Sequence, residues 1–326
     1  MLEQISANEN FKMIGLKKIN IIFGRVASGK SSILREIAKN NKECCLYIAP
    51  EREGFLNLSM SANSGDSSFE KIQNDFHFDS SVRQNISKNF KMNSTKILFD
   101  MLDYFKNKGE DDFNKFTDFL ERKLNFLLPD CVFTINKELN YKNSINSLEN
   151  FIKITRKNIQ NNNTNLSSGE TELFSLATII IAFRLKKEMG TLLLDEPDLH
   201  LHPDSQYRLM KFILELFNNN NYIIIIATHS TSMLNALADE NNKENLSICF
   251  LDKNLTRKEI IFNRITQKLE EIVPIFGAHP LTQVFNKKPI LLVEGVDDEW
   301  IWTLLVKSKA ANVYPCQTGS VDCRWV

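Results

Sequence analysis

The sequence predicts an α/β fold with a mostly parallel sheet flanked by helices, and three observations carry that prediction. Short apolar runs such as TLLLD (191–195) and YIIIIA (222–227) alternate with segments of helical spacing, the pattern of a parallel sheet buried on both faces. The β-branched run INIIFG (19–24) ends on glycine, and KSSILREIAK (30–39) follows it at helical spacing, so the chain opens as strand, loop, helix. The chain has 326 residues, room for two domains or one with a large insertion at about 100 to 200 residues per domain.

Taken in order, CCLYIA (44–49) reads as the next strand and PERE (50–53) as the loop leaving it. From 54 to 165 the pattern changes. STKILFDMLDYF and FNKFTDFLERKLNFLL carry Phe and Leu at i, i+3, i+4 positions among charges, which predicts a helical insertion with its own apolar faces. Stacking of those aromatics on nucleic acid is the competing reading. CVFTIN and FIKITR add strands near the end of the insertion. The core pattern resumes with a helix over 170–187, the strand 191–195, a helix over 205–217, the strand 222–227 and a helix over 230–238. LSICFL (246–251) and EIIFNRI (259–265) complete the unit as strands.

Composition narrows the class. Forty Lys+Arg balance forty Asp+Glu, so no global attraction draws the chain to nucleic acid or an anionic membrane, although a local basic face is compatible with this. Six cysteines contain no CxxC pair and no zinc-type Cys/His spacing, which reads as reduced thiols in a cytoplasmic protein. The first twenty residues lack the apolar core of a secretory signal. No apolar run approaches the ~20 residues of a membrane span. The asparagine runs at 161–163 and 218–221 read as polar loops.

GRVASGKS (24–31) matches GxxxxGK[ST] between a predicted strand and helix. Gly24, Arg25, Val26, Ala27, Ser28 and Gly29 would offer backbone N–H groups to ATP phosphates. Lys30 would reach the β- and γ-phosphates, and Ser31 would ligate Mg2+. In TLLLDEPDLHLHP (191–203) two carboxylates leave a buried strand. Asp195 is placed for the magnesium shell and Glu196 to polarise an attacking water; alone, the pair would read as a helix cap. ATHS (227–230) brings His229 out on the same sheet edge, where it would sense the γ-phosphate. His200 and His202 alternate like loop residues, with metal ligation as a minor reading.

NLSSGE (165–170) precedes a helix with small residues and free N–H groups that favour an anion. Beside the other motifs it resembles the LSGGQ signature of ABC-class ATPases, with Ser168 in place of the first glycine and Glu170 in place of the glutamine. Walker A, signature, Walker B and switch histidine stand in the family's order. The resemblance implies a homodimer or higher oligomer of heads closing head to tail on ATP. Ser167, Ser168, Gly169 and Glu170 would close over the γ-phosphate held by the other copy's Lys30, with Glu196 and His229 catalytic. Asp198 loosely matches the family's dimer-crossing loop. No Q-loop glutamine follows the first helix; YIAPERE (47–53) stands there and resembles bacterial defence and repair ATPases, with Arg52 expected in a surface salt bridge and contact with phosphate or a partner as its minor reading.

ILLVEGVDDEW (290–300) passes from an apolar strand into an acidic turn and resembles the first half of a Toprim domain. That likeness carries Glu294 over as a metal ligand, while Asp297 and Asp298 read as helix-start carboxylates. No DxD follows, so the nuclease part reads as incomplete. The order ABC-class ATPase then Toprim-like segment resembles the OLD family and related anti-phage ATPases. It divides the chain into an ATPase core (1–53 and 166–270), a helical insertion (54–165), and a linker with a partial Toprim-like segment (271–326). The expected function is an ATP- and Mg2+-dependent, dimerising ATPase of DNA transactions or anti-phage defence, with DNA or a separate nuclease as partner. A rival reading is an ATP-gated scaffold that holds and releases an effector protein. The weaker one, a transporter subunit, lacks the Q-loop.

Overall fold

The structure is a computed structural model and describes residues 11–25, 27–41, 45–52, 56, 90–137, 152–157, 166–186, 189–217, 221–238, 243–251 and 259–264. The elements are β1 (Lys12–Ile14), β2 (Ile19–Gly24), α1 (Lys30–Asn40), β3 (Cys45–Ile48), α2 (Phe90–Lys108), α3 (Glu110–Leu127), β4 (Cys131–Ile135), β5 (Ile152–Arg156), α4 (Ser168–Lys186), β6 (Met189–Asp195), α5 (Pro203–Phe217), β7 (Asn221–Thr228) and α6 (Thr231–Ala238). A 3₁₀ turn (Lys243–Asn245) leads into β8 (Leu246–Leu251), and β9 (Glu259–Ile261) and β10 (Asn263–Arg264) follow.

Six strands form the main sheet in the order β10-β8-β2-β7-β6-β3. All neighbours pair in parallel except β10 against β8. The α/β class with a mostly parallel, helix-flanked sheet is therefore as the sequence predicts. The predicted strand 259–265 is instead two short strands: β9 pairs with β1, which the sequence reading did not anticipate, and β10 closes the sheet edge. Phe262 lies between them, and its N–H donates to Ile14 O at 2.8 Å.

Strand register explains how continuous apolar runs serve two faces, since alternate side chains point to opposite sides. Leu246, Ile19, Ile224, Leu192 and Leu46 form one row across five strands and face the larger core with α2 to α6. Leu193, Ile225, Ile22 and Ala227 face the other way, against Leu34, Ile37 and Ala38 of α1. Those α1 residues recur at helical spacing, so one stripe of the helix is buried. Helix α4 is apolar nearly all round and is buried from Leu173 to Phe183, as expected of a central helix.

The insertion shares that larger core. Phe90, Ile97, Leu98 and Met101 of α2 and Phe113, Phe116, Leu120 and Leu124 of α3 belong to the same buried cluster as the sheet. Phe133 of β4 stacks on Phe174 of α4 with centroids 5.8 Å apart. These phenylalanines are structural, so the base-stacking reading does not apply to them. Asn125 of α3 binds β4 like a neighbouring strand, accepting from Phe133 N–H at 2.8 Å and donating to Phe133 O at 3.2 Å. Glu294, Asp297, Asp298 and the rest of the Toprim-like segment lie outside the described residues.

Candidate functional site

The glycine-bounded loop expected to hold phosphate runs from the C-terminal end of β2 into α1, with β2 between β7 and β8. Gly24 is required by close approach: a Cβ there would stand 2.6 Å from Leu251 O. Gly29 caps α1 with φ of 92°, a left-handed conformation that side chains disfavour. No side chain caps α1, and its first turn has no acidic residue, so its first N–H groups suit an anion. Lys30 is buried, and its ammonium donates to Gly24 O at 3.1 Å and Arg25 O at 3.0 Å. Val26 lies outside the described residues; Ala27, at φ of 63°, and Ser28 complete the loop.

Asp195 ends β6 in the same row as Ala227, Ile22 and Cys249. Its carboxylate therefore faces α1, where Ser31 Oγ donates to Oδ1 at 2.9 Å. A second donor was not foreseen from sequence. Tyr47, two residues after the start of β3 on the same face, donates its hydroxyl to Asp195 Oδ2 at 2.8 Å and accepts from Arg35 Nε at 3.5 Å. Burial pushes the Asp195 carboxyl above the usual range, opposed by the two hydroxyl bonds. Burial and the neighbouring carboxylate also hold the Tyr47 phenol well above its ordinary range. The alternation of CLYI marks Tyr47 as facing away from Leu46 and Ile48, which was the available signal.

Glu196 turns the chain after β6. Its φ is 45°, a left-handed conformation costing about 1–3 kcal/mol for a residue with a Cβ. Hydrogen bonds offset that cost: Glu196 N–H donates to Ala227 O at 2.8 Å, and Glu196 O accepts from Leu199 N–H at 3.1 Å. The turn aims the carboxylate between Lys30 and His229, with Oε1 3.5 Å from Lys30 Nζ and 3.6 Å from His229 Nδ1. His229 follows β7, which lies directly between β2 and β6, so three sequence-predicted motifs meet at one sheet edge.

Asp198 is buried, unlike a loop residue reaching for a partner. Its Oδ1 accepts from Thr228 Oγ1 at 2.6 Å, and Oδ2 is 3.9 Å from His229 Nδ1. Burial raises its carboxyl, while Thr228 and His229 oppose the shift. Gln206 braces the same loop, donating to Asp198 O at 3.1 Å and Leu201 O at 2.9 Å and accepting from Ser230 Oγ at 2.7 Å. Of the two loop histidines, His200 holds φ of 65° and His202 Nδ1 accepts from Asp204 N–H at 3.5 Å. Among the described residues no three His, Cys, Asp or Glu side chains converge as a metal cluster.

The segment 167–170 forms a reciprocal cap at the start of α4. Ser167 N–H donates to Glu170 Oε2 at 2.7 Å, and Glu170 N–H reaches Ser167 Oγ at 3.4 Å. Glu170 also takes both terminal nitrogens of Arg156, at 3.1 and 2.6 Å. Burial alone would raise its carboxyl, but the Arg156 and Ser167 bonds outweigh burial and hold it below the ordinary range. Glu170 thus braces the segment 167–170, with its carboxylate turned to its own chain. A Cβ at Gly169 would lie 3.5 Å from His200 O, an ordinary van der Waals contact.

Arg52 corrects the surface salt bridge expected for it. It is 6% exposed and pairs through Nε with Glu172 of α4. Nη1 donates to Ala49 O at 2.9 Å and Asp195 O at 3.5 Å, and Nη2 to Glu196 O at 3.2 Å.

Residues 35–235 match the family model described as "AAA domain, putative AbiEii toxin, Type IV TA system". A crystal structure of the SmcHead bound to the C-winged helix domain of ScpA aligns over 78% of this chain and 92% of that one, at 14% identity and a TM-score of 0.41. A DNA-directed RNA polymerase subunit beta'' from Euglena longa is 25% identical over 275 residues, 79% of this chain. The chain spans 32% of that curated relative's length. No helix among the described residues is long and apolar enough to cross a membrane.

Proposed function

The chain belongs to the AAA-domain family, and from that premise we propose that it binds ATP with magnesium, closes head to tail with a second copy, and hydrolyses the nucleotide. The observation that carries this reading is the position of Glu196 Oε1, 3.5 Å from Lys30 Nζ and 3.6 Å from His229 Nδ1, at the edge where the phosphate loop opens. A carboxylate there is within reach of a water aimed at a phosphate that Lys30 holds.

Each residue then has a task. Backbone N–H groups from Gly24 to Ser31, with Val26 among them, cradle the phosphates, and Lys30 takes the terminal ones. Ser31 and Asp195 would hold Mg2+, a role that suits an alcohol and a carboxylate 2.9 Å apart. Bound there, magnesium would neutralise charge on the β- and γ-phosphate oxygens. Glu196 accepts the proton of the attacking water, and His229 contacts the γ-phosphate. Ser167, Ser168 and Gly169 close over the other copy's γ-phosphate, with Glu170 holding that segment in shape. Ser167 and Ser168 are exposed, which supports an approach from outside the chain.

The finer reading places this head in the OLD-like group, in DNA transactions or anti-phage defence, with Glu294 contributing to a Toprim-like metal site that needs further carboxylates. The family description mentions a toxin–antitoxin system, and beside it stands a second reading: an ATP-gated scaffold that holds a separate effector and releases it on hydrolysis. Turnover measurements on the purified chain test the shared core of both. Lys30→Ala should abolish ATP binding or turnover, and Glu196→Gln should bind ATP, turn over at least about a hundredfold more slowly and accumulate as an ATP-bound dimer. Wild-type turnover in both variants would sink the assignment. DNA-stimulated hydrolysis would select the first reading, and salt-resistant association with an effector without DNA binding the second.

A further inference from the structure

We propose that Arg52 is a positioning residue for Glu196, fixing the backbone that aims its carboxylate and tying that backbone to the helix opened by the signature. The inference rests on the ATPase reading above and adds a control element to the same site.

The geometry is specific. One buried guanidinium spans four acceptors: the Glu172 carboxylate and the carbonyls of Ala49, Asp195 and Glu196. Two of those carbonyls flank the turn at which Glu196 holds φ of 45°. A turn in that conformation relaxes unless its surroundings fix it. Here the fixing group comes from the loop after β3, at the far edge of the sheet. A planar fork with five N–H donors can satisfy this set from one position; a lysine ammonium cannot.

The other end of the arginine sets the connection. Glu172 sits in the first turns of α4, two residues after Glu170, and also faces Lys91 Nζ of α2 at 3.6 Å. A shift of the α4 N-terminus, as when Ser167 to Gly169 engage nucleotide on a second copy, is carried by Glu172 to Arg52 and by Arg52 to the carbonyls of Asp195 and Glu196. Hydrolysis in one site then responds to the signature helix of the same chain. Stability alone does not account for such a pair, since apolar side chains of similar volume often replace a buried ion pair without loss.

That last property supplies the test. Thermal midpoint, ATP affinity and steady-state turnover are measured for wild type, Arg52→Lys, Arg52→Met and the double variant Arg52→Met/Glu172→Met. The expected result is kcat at least about tenfold lower in all three variants, with KM for ATP within about threefold of wild type, and a midpoint in the double variant recovered toward wild type without recovery of kcat. A double variant that regains kcat along with its midpoint overturns the inference, as does loss of ATP affinity in step with kcat. Should the methionine variants fail to fold, Arg52→Lys decides alone: wild-type kcat in that variant overturns the proposal. A wild-type chain that binds no ATP defeats the functional reading itself, an outcome distinct from these.

Discussion

Tyr47 donates its hydroxyl to Asp195 Oδ2 across 2.8 Å, while Ser31 holds Oδ1 of the same carboxylate. Both oxygens of the residue proposed to face magnesium are thus oriented from α1 and β3, two elements remote from Asp195 in sequence. Tyr47→Phe keeps the ring packed and removes this bond together with the longer one accepted from Arg35 Nε. Partners that orient a metal ligand typically matter at the level of 10- to 100-fold in metal affinity or activity. The half-saturating magnesium concentration for ATP turnover should therefore rise about tenfold in Tyr47→Phe, with the thermal midpoint little changed. A magnesium titration superimposing on that of wild type would remove Tyr47 from the site.

Asp100 of α2 offers a pH-dependent test outside the site. Its Oδ2 is buried with no hydrogen-bond partner among the described residues, and burial, then Asp103, push its carboxyl from the ordinary 3.8 up to about 7, with Lys96 opposing. The sign follows from linkage. Because the folded-state value is the higher one, folding favours the protonated acid, and that contribution is complete below the ordinary aspartate range. It is lost as pH rises through about 7. Asp100→Asn should accordingly raise the thermal midpoint by several degrees at pH 8 and change it little at pH 4. Equal shifts at both pH values would show that the carboxyl is not perturbed in this way.

Asn20, buried in the central strand, is a structural rather than catalytic polar residue. Its amide donates to Lys17 O at 2.8 Å and Ile224 O at 3.1 Å, and its Oδ1 accepts from Lys17 N–H and Ser247 Oγ, both at 2.7 Å. Asn20→Ala leaves those groups without their partner inside the sheet. The expected loss is about 3 kcal/mol of unfolding free energy, read by denaturant titration, with KM for ATP unchanged in the folded fraction. A loss below about 1 kcal/mol would mean that the freed groups find other partners.

The legible part of this protein was local. GRVASGKS, TLLLDEPD and ATHS each mark a strand leaving the sheet on one edge, and the structure brings Lys30, Asp195, Glu196 and His229 to that edge. What sequence could not supply was lateral order. A parallel sheet joins its strands through crossovers, so chain order leaves open that β7 lies between β2 and β6. The Arg52 expectation failed for a related reason. A guanidinium in a charged stretch reads as exposed, and its burial depends on Glu172 arriving on a helix 120 residues away. Tyr47 was missed because its partner, Asp195, is equally remote in sequence. The β1–β9 pair joins three-residue strands from opposite ends of the described chain, too short for alternation to announce them.

The shared interior of α2, α3 and the sheet has a practical consequence for anyone dissecting the protein. The insertion is not a cassette that can be cut out and its ends rejoined. Without it, α4 would lose apolar side chains packed against it, Phe133 on Phe174 among them, leaving a greasy scar on the helix that follows Ser167. Truncations meant to isolate a minimal head should keep residues 90–137 and 152–156, or they will report on aggregation instead of catalysis.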